Sequence, residues 1–444
     1  MFVALRRLGA ALAGRTREAP SVSPYSASVA RRGVAPRDGP YSWLSPVRAS
    51  GMVHVLPWAA VGRLPIGMVG LALLLFIQQR TGDYADAGLA VGVFGAANSV
   101  GAVVQGRLMD RHGVVGVTWC CGTVHGLAVF GVVAAGAADG GLAVVLVPAA
   151  LAGLTFPQIS TAMRTLWGTL LPDEHARRRA YAFESVVVEG LVLVGPTLVS
   201  LVAGLESVGW ALVVTALLCL AGTQGFALSA RTLLSVQADQ ASTAGLLGAF
   251  GAFGVHVLAM ASFFSTGMCL GVLQIAVPGA VGGRDAAASA GYLLTAFGVG
   301  SVIGGAVYGV GRWRSSPPSR LMRLQVLLAV LVLPMAAVRG PALLTGALLV
   351  AGCLFAPVLV TVAVLLDDVA PAGTANEAYT VAITANVLGA ATGNALGGLL
   401  LGSVHSTAPL FLCAAGAPVL GAVVTAAGAR ALNRPPTLEC PSRP

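Results

Sequence analysis

The chain has 444 residues, of which 56% are hydrophobic and 10% are charged, and its mean hydropathy is +0.84. A soluble domain carries about 25% charged residues, so a soluble fold of this composition would lack polar surface. The sequence therefore predicts an integral membrane protein. All 26 basic residues are Arg, and much of the net charge of +9 lies in the N-terminal tail and in loops. This distribution does not indicate nucleic-acid binding.

Residues 1–51 differ in composition from the rest of the chain, because they are rich in Arg and contain no apolar run long enough to cross a membrane. We expect a disordered cytoplasmic tail or an over-extended start, with Met52 as the alternative initiator. Arg6-Arg7 also suggests a twin-arginine signal, although Arg15 interrupts the apolar stretch behind it. An organellar transit peptide would have a similar composition.

From Leu56 onward the sequence contains twelve apolar stretches of about 20 residues, the length that a hydrocarbon core of about 30 Å requires. The predicted spans are 56–78, 87–108, 114–136, 142–166, 181–205, 208–229, 251–278, 287–311, 320–338, 341–366, 376–402 and 406–429. We expect an all-α membrane fold of two parallel six-helix halves. The predicted segments are the halves 52–230 and 251–432, a cytoplasmic linker at 231–250 and a cytoplasmic tail at 433–444.

The distribution of Arg predicts the orientation of the spans. With the tail and Arg63 set aside, one set of loops together with the C-terminus carries fourteen Arg, whereas the other set carries Arg80, Arg284 and Arg339. Because cytoplasmic loops are enriched in basic residues, both termini are predicted to be cytoplasmic.

The chain also contains an internal repeat. Ala87–Arg111 aligns with Ala290–Arg314 at a shift of 203 residues with eight of 25 positions identical, and Ala180–Gly204 aligns with Ala378–Gly402 at a shift of 198 with six identical. Two shifts this similar indicate that spans one to six and seven to twelve are copies in parallel orientation, as in one class of secondary transporters.

A charged turn separates spans two and three. Its residues, Gly106-Arg107-Leu108-Met109-Asp110-Arg111-His112-Gly113, resemble the loop signature G-x-L-x-D-R-x-G of the major facilitator superfamily (MFS). Pro172–Arg179 resembles the P-E-x-x-R loop that follows span four in that superfamily. Together with twelve duplicated spans, these motifs make residues 52–432 similar to an MFS transporter. The use of Arg, Ala, Gly and Val looks like that of a high-GC, actinobacterial-like bacterial proteome.

The turn is a candidate gate. Asp110 could accept backbone N–H bonds at the start of span three or pair with Arg164 at the end of span four, so that Gly106, Asp110, Arg111, Gly113 and Arg164 form the predicted conformational site. The position equivalent to Asp110 in the second half is Trp313, so the charged gate is expected in the first half only.

Two carboxylates in span five are candidates for the transport site. Glu189 lies about eight residues into the span, roughly 12 Å deep at 1.5 Å per residue. An ionised carboxylate there would cost several kcal/mol, so Glu189 either binds a proton or cationic substrate in a wet cavity, or packs with a hydrogen-bond partner. Glu184 is about 140° away around the helix. It is expected near the interface, paired with Arg164 or Arg177–Arg179 as a gate or as a weak ion pair.

Three further polar residues are candidates for the substrate site. Arg63 in span one could bind an anionic group or extend its side chain to the interface. Gln158 and Gln274 lie in spans four and seven, which line the central cavity in the superfamily that the chain resembles, although helix-to-helix hydrogen bonding is the common role of such amides.

The sequence carries no sign of an enzyme, a metal site or a cofactor. Its six His are scattered, and it contains no phosphate-cradling G-x-x-x-x-G-K motif or nucleophile elbow. We expect a secondary active transporter of the cell membrane, acting as a monomer by alternating access. It would export a small-molecule drug or metabolite with protons as the coupling ion. The alternatives are an importer of a small nutrient and a non-transporting membrane receptor or subunit.

Overall fold

A computed structural model describes residues 52–138, 141–171, 174–234, 253–281, 286–310, 313, 315–338, 340–369, 375–404 and 406–432. The predicted N-terminal tail at 1–51, most of the predicted linker at 231–250 and the C-terminal tail at 433–444 lie outside these residues.

The described chain forms twelve helical spans that are long and apolar enough to cross a membrane, so the predicted all-α fold is confirmed. In chain order the helices are Val55–Arg63 and Pro65–Thr81 (span one), Tyr84–His112, Val114–Ala137, Leu142–Leu154 and Ile159–Leu170 (span four), Glu174–Leu205, Val208–Leu234, Phe253–Val281, Ala286–Val310, Pro317–Val332, Pro341–Val369, Ala375–Val404 and Ala408–Leu432. We call the end of the bundle that carries Met52, His112 and Leu432 the motif end, and the other end the far end.

Local sequence sets the ends of span two. At its start Asp83 caps the helix, because the side chain accepts a hydrogen bond of 2.8 Å from the backbone N–H of Ala85. At its other end Gly113 has a φ of 83°, a left-handed conformation that glycine adopts without steric cost. The Gly113 of the charged turn therefore allows the chain to reverse between spans two and three.

Spans one and four are interrupted. Span one breaks at Leu64, before Pro65, which lacks a backbone N–H and disturbs the preceding helical turn. Span four is non-helical from Thr155 to Gln158. Within a membrane the freed backbone groups need internal partners, and the side-chain amide of Gln105 supplies them by donating to the carbonyl oxygens of Leu154 at 3.1 Å and Phe156 at 2.9 Å.

The two six-span groups contact each other through spans two and eleven and through spans five and eight. Gly88 packs against Asn394 and Gly398, and Gly291 packs in the same way against Pro196 and Ser200.

The contact of Gly88 and the contact of Gly291 are equivalent under the internal repeat. With the shifts of 203 and 198 residues, Gly88 corresponds to Gly291, Asn394 to Pro196 and Gly398 to Ser200. A pseudo-twofold relation between the groups follows, which agrees with the parallel repeat.

Small residues make these contacts close. A methyl group added to Gly92 would lie 3.0 Å from the carbonyl oxygen of Ala391, and one added to Gly402 would lie 2.8 Å from a carboxylate oxygen of Asp83. Thr197 and Thr295 share a hydrogen bond of 2.7 Å between spans five and eight. All of these contacts lie between the middle of the bundle and its far end.

Candidate transport site

A cavity of about 150 Å³ lies near the middle of the bundle, between the two six-span groups. Spans one and five line it from the first group, and spans seven, eight and ten line it from the second. Its polar side chains are those of Glu189, Gln274 and Ser301, and two of its apolar side chains are Phe297 and Phe355. A polar minority in an apolar wall, placed between two related groups of helices, is the usual form of a transporter site.

Glu189 faces this cavity because of its position on span five. Glu189, Val192, Leu193 and Pro196 all line the cavity, and their spacing of three or four residues places them on one face of the helix. The Glu189 side chain is exposed to the cavity and makes no hydrogen bond or ion pair with another described residue. The cavity lining, all of which is described, contains no Arg or His, so Glu189 is its single ionisable group.

Gln274 lies on the opposite wall of the cavity. Its amide oxygen accepts a hydrogen bond of 3.1 Å from the side chain of Asn394 in span eleven. Within the described part of the chain its amide nitrogen has no acceptor. The bond to Asn394 therefore orients Gln274 and leaves two N–H donors for a ligand.

Glu184 lies in a different environment, on another face of span five. It is 6% exposed and pairs with Arg63 of span one, which is 2% exposed. Its second carboxylate oxygen accepts a hydrogen bond of 2.8 Å from the indole N–H of Trp167 in span four. Arg63 also donates to the carbonyl oxygen of Ile159 at 3.3 Å. This buried group therefore joins spans one, four and five.

The structure differs from the sequence-based expectations in the burial of two side chains and in the pairing between them. Glu184 was expected near the interface with Arg164 or Arg177–Arg179, and Arg63 was expected either at an anionic ligand or at the interface. Arg164 is still one of the positive charges that act on Glu184, and the side chains of Arg178 and Arg179 lie outside the part of the chain whose side chains are described.

Neither the Glu184 nor the Arg63 side chain lines the cavity. The break of span one after Arg63 and the restart of span four at Ile159 bring the guanidinium to Glu184, which pairs the two charges inside the first group. The Nε of Arg63 has no hydrogen-bond partner among the described residues.

Gln158 is held by its own group of helices. Its side-chain amide donates to Asn98 of span two at 3.1 Å and to the carbonyl oxygen of Phe156 at 3.2 Å. Its backbone N–H donates to Gln105 at 3.3 Å. Gln105 was not singled out from the sequence, although a Gln within an apolar span is the signal that could have found it.

The charged turn is exposed at the motif end. Asp110, Arg111 and Gly113 are exposed, and Gly106 has open space beside it. In the described part of the chain Asp110 has no hydrogen bond or ion pair. The guanidinium of Arg164 lies over the ring of Tyr181, 6.0 Å from its centroid. This conformation therefore does not contain the Asp110–Arg164 contact.

The corresponding turn of the second group carries an aromatic cluster instead of a carboxylate. Trp313 stacks on Tyr308 with ring centroids 4.7 Å apart, and the guanidinium of Arg320 lies 5.5 Å and 5.8 Å from the two centroids. The substitution of Trp313 for the acidic residue thus makes this turn a cation–π contact.

A metal site is not found among the described residues, which contain no group of three or more His, Cys, Asp or Glu close enough to share an ion. His125 is fully buried, with Nδ1 2.7 Å from the carbonyl oxygen of Ala152. The side chain of His256 lies outside the part of the chain whose side chains are described.

The fold and the central cavity define a membrane transporter rather than an enzyme. The family model of the Major Facilitator Superfamily matches residues 59–394, and the chain belongs to this superfamily.

Solved structures of transporters resemble the chain in fold. A crystal structure of the nucleoside transporter NupG has a TM-score of 0.65 at 17% identity and covers 85% of this chain and 100% of its own. A crystal structure of an auto-inhibited POT family peptide transporter has a TM-score of 0.62 at 12% identity and covers 88% of this chain and 98% of its own. No curated protein sequence matches the chain.

Proposed function

We propose that this protein is a proton-coupled exporter of a drug or metabolite, acting by alternating access as a monomer in the cell membrane. The observation that carries the proposal is Glu189, an uncompensated carboxylate in the cavity between the two groups of spans. A carboxylate in a membrane interior is costly when ionised and unpaired. It therefore favours states in which a proton or another cation is bound.

The contacts between the groups support a specific conformational cycle. The close glycine and threonine contacts between the groups lie toward the far end, and Asp110 and Arg164, which both belong to the first group, do not meet at the motif end. We infer from the position of the contacts between the groups that the described conformation is the one open to the motif end, which we assign to the cytoplasm. In the opposite conformation Asp110 and Arg164 would meet and the far end would separate.

The gate proposal predicts the effect of Asp110→Asn. Asparagine keeps the shape of the side chain but removes the charge that would attract Arg164 and the start of span three. We expect normal insertion and a transport rate about tenfold lower, equivalent to about 1.4 kcal/mol. The measurement is initial flux in proteoliposomes at equal protein density. Asp86→Asn, at the far end of span two, is the matched control, and a wild-type rate for Asp110→Asn would remove the gate role.

The proposed orientation places both termini in the cytoplasm. It can be tested by single cysteines in a variant that lacks the seven native Cys. Exposed residues provide the sites: Arg231 at the motif end, and Ala138 and Glu206 at the far end. Arg231→Cys should react with an impermeant thiol reagent only after lysis, whereas Ala138→Cys and Glu206→Cys should react in intact cells. The reverse labelling pattern contradicts the orientation.

Flux assays separate the alternatives to export. A receptor binds its ligand without flux, whereas an importer accumulates substrate from the outside. Nucleosides and peptides, named for the two solved transporters above, belong in the substrate screen together with drug-like compounds. Uptake driven inward by a proton gradient, with no efflux, would favour the importer.

A further inference from the structure

The charges around the cavity are unbalanced. The nearest cation on span one, Arg63, is already neutralised by Glu184, and neither side chain lines the cavity. When it is deprotonated, Glu189 therefore contributes a negative charge to a site in which no lining residue supplies a positive one. This form of the site repels an anionic substrate, and a neutral substrate does not compensate its charge.

The opposite wall of the cavity is also suited to a positively charged ligand. Phe297 of span eight and Phe355 of span ten line the cavity as a T-shaped pair, with ring centroids 5.3 Å apart. Aromatic rings attract cations, and the attraction is larger where water is excluded. Gln274 and Ser301 offer only a few polar contacts. The remaining lining is aliphatic or glycine, which suits an apolar ligand body.

The size of the cavity indicates how much of that body its lining surrounds. A volume of about 150 Å³ is comparable to one that accommodates a benzene ring. The part of the ligand that lies within the lining is therefore about one ring or a few short alkyl groups.

We propose that the substrate is a small organic monocation with an apolar body, held between Glu189 of the first group and the Phe297–Phe355 pair of the second. This proposal rests on the proposed transport function and specifies the substrate of the same site. A cation in this position contacts both groups of spans, so that its binding is sensitive to their relative movement.

Cation and proton would compete for one carboxylate. When Glu189 carries a proton, binding of the organic cation breaks the O–H bond, leaves the electron pair on the carboxylate and releases one proton to water. No oxidant, reductant or further reactant is required. Since the carboxylate holds either a proton or the cation, this competition provides antiport with an exchange of one proton for one substrate.

The test uses the full-length protein purified in a neutral detergent, titrated with phenyltrimethylammonium, its neutral isostere tert-butylbenzene, and benzoate. We expect saturable binding of the cation, with tert-butylbenzene and benzoate binding more weakly by about tenfold or more. Binding should weaken as the pH is lowered and should release protons in weakly buffered solution. Glu189→Gln should lose about tenfold or more in cation affinity, whereas the exposed far-end variant Glu206→Gln should bind as wild type does.

Three results would overturn the substrate class: no saturable binding of the cation, equal binding of the neutral isostere, or unchanged affinity in Glu189→Gln. Proteoliposomes loaded with labelled phenyltrimethylammonium separate this failure from failure of the transport function. Binding through Glu189 without any flux upholds the substrate class and contradicts transport. Proton-driven flux of a different substrate, without cation binding, upholds transport and contradicts the substrate class.

Discussion

Glu189→Gln is expected to abolish proton-driven accumulation of substrate while leaving substrate exchange measurable at substrate concentrations high enough to saturate the weakened site. Glutamine has nearly the shape of a protonated glutamate but cannot take up or release a proton, so the cycle loses its coupling step. With one proton per substrate, a gradient of one pH unit supports accumulation of up to about tenfold, because 1.4 kcal/mol corresponds to a factor of ten. The variant should reach no accumulation above equilibration.

The measurement compares flux in proteoliposomes with and without an imposed pH gradient. Exchange at equal concentrations on both sides needs no net proton movement, so its survival would show that the variant is folded and that its helices still move. Glu206→Gln provides the control, because it removes an exposed far-end carboxylate by the same substitution. Accumulation by Glu189→Gln at the wild-type level would leave Glu189 as a packing residue.

The sequence predicts the architecture well because hydrophobicity and repetition are properties of the chain itself. Twelve apolar stretches require twelve spans in a membrane, and Ala87–Arg111 with its copy at Ala290–Arg314 predicts which helices are equivalent. Small residues such as Gly398 and Gly402 also mark close helix contacts, and the structure places both against span two. The pattern of small residues does not state which helix is the partner.

The environment of Glu189 was predictable in part. Its depth in span five, and its angle of about 140° from Glu184, follow from helix geometry alone. This angle implies that the two carboxylates cannot share one cavity equally, and the structure places only Glu189 in the lining. The composition of the opposite wall was not predictable, because it depends on how spans seven, eight and ten pack against the first group.

The sequence did not reveal which charged residues pair with each other when they lie far apart in the chain. Arg63 and Glu184 are separated by 121 positions, and the contact depends on where spans one and four break. Pro65 and Pro157 indicate the breaks, but a proline signal gives neither the direction of the bend nor the group that fills it. Charged residues closer in sequence, such as Arg164, were therefore the expected partners of Glu184.

The two helix breaks meet at this buried ion pair. Arg63 is the last residue of the first helix of span one, and the Ile159 carbonyl that it binds belongs to the first residue of the second helix of span four. Glu184 and Trp167 complete the group from spans five and four. The ion pair thus fixes the motif-end segments of three spans to one another. We infer that its main contribution is to the stability of the first group.

The last prediction concerns the removal of one partner of this pair. Both Arg63→Met and Glu184→Gln leave an uncompensated charge in the interior, for which the cost in buried pairs is about 3–5 kcal/mol. Each single variant should therefore lower the Tm in detergent by about 5 °C or more.

The double variant Arg63→Met/Glu184→Gln removes both charges and keeps an amide oxygen for the indole N–H of Trp167. It should be more stable than either single variant, because neutral replacement of a buried pair costs little. Glu206→Gln, which is exposed, should leave the Tm unchanged. Thermal unfolding of the wild type, the two single variants and the double variant gives the coupling between the two positions, and losses that simply add in the double variant would show that Arg63 and Glu184 do not stabilise the protein as a pair.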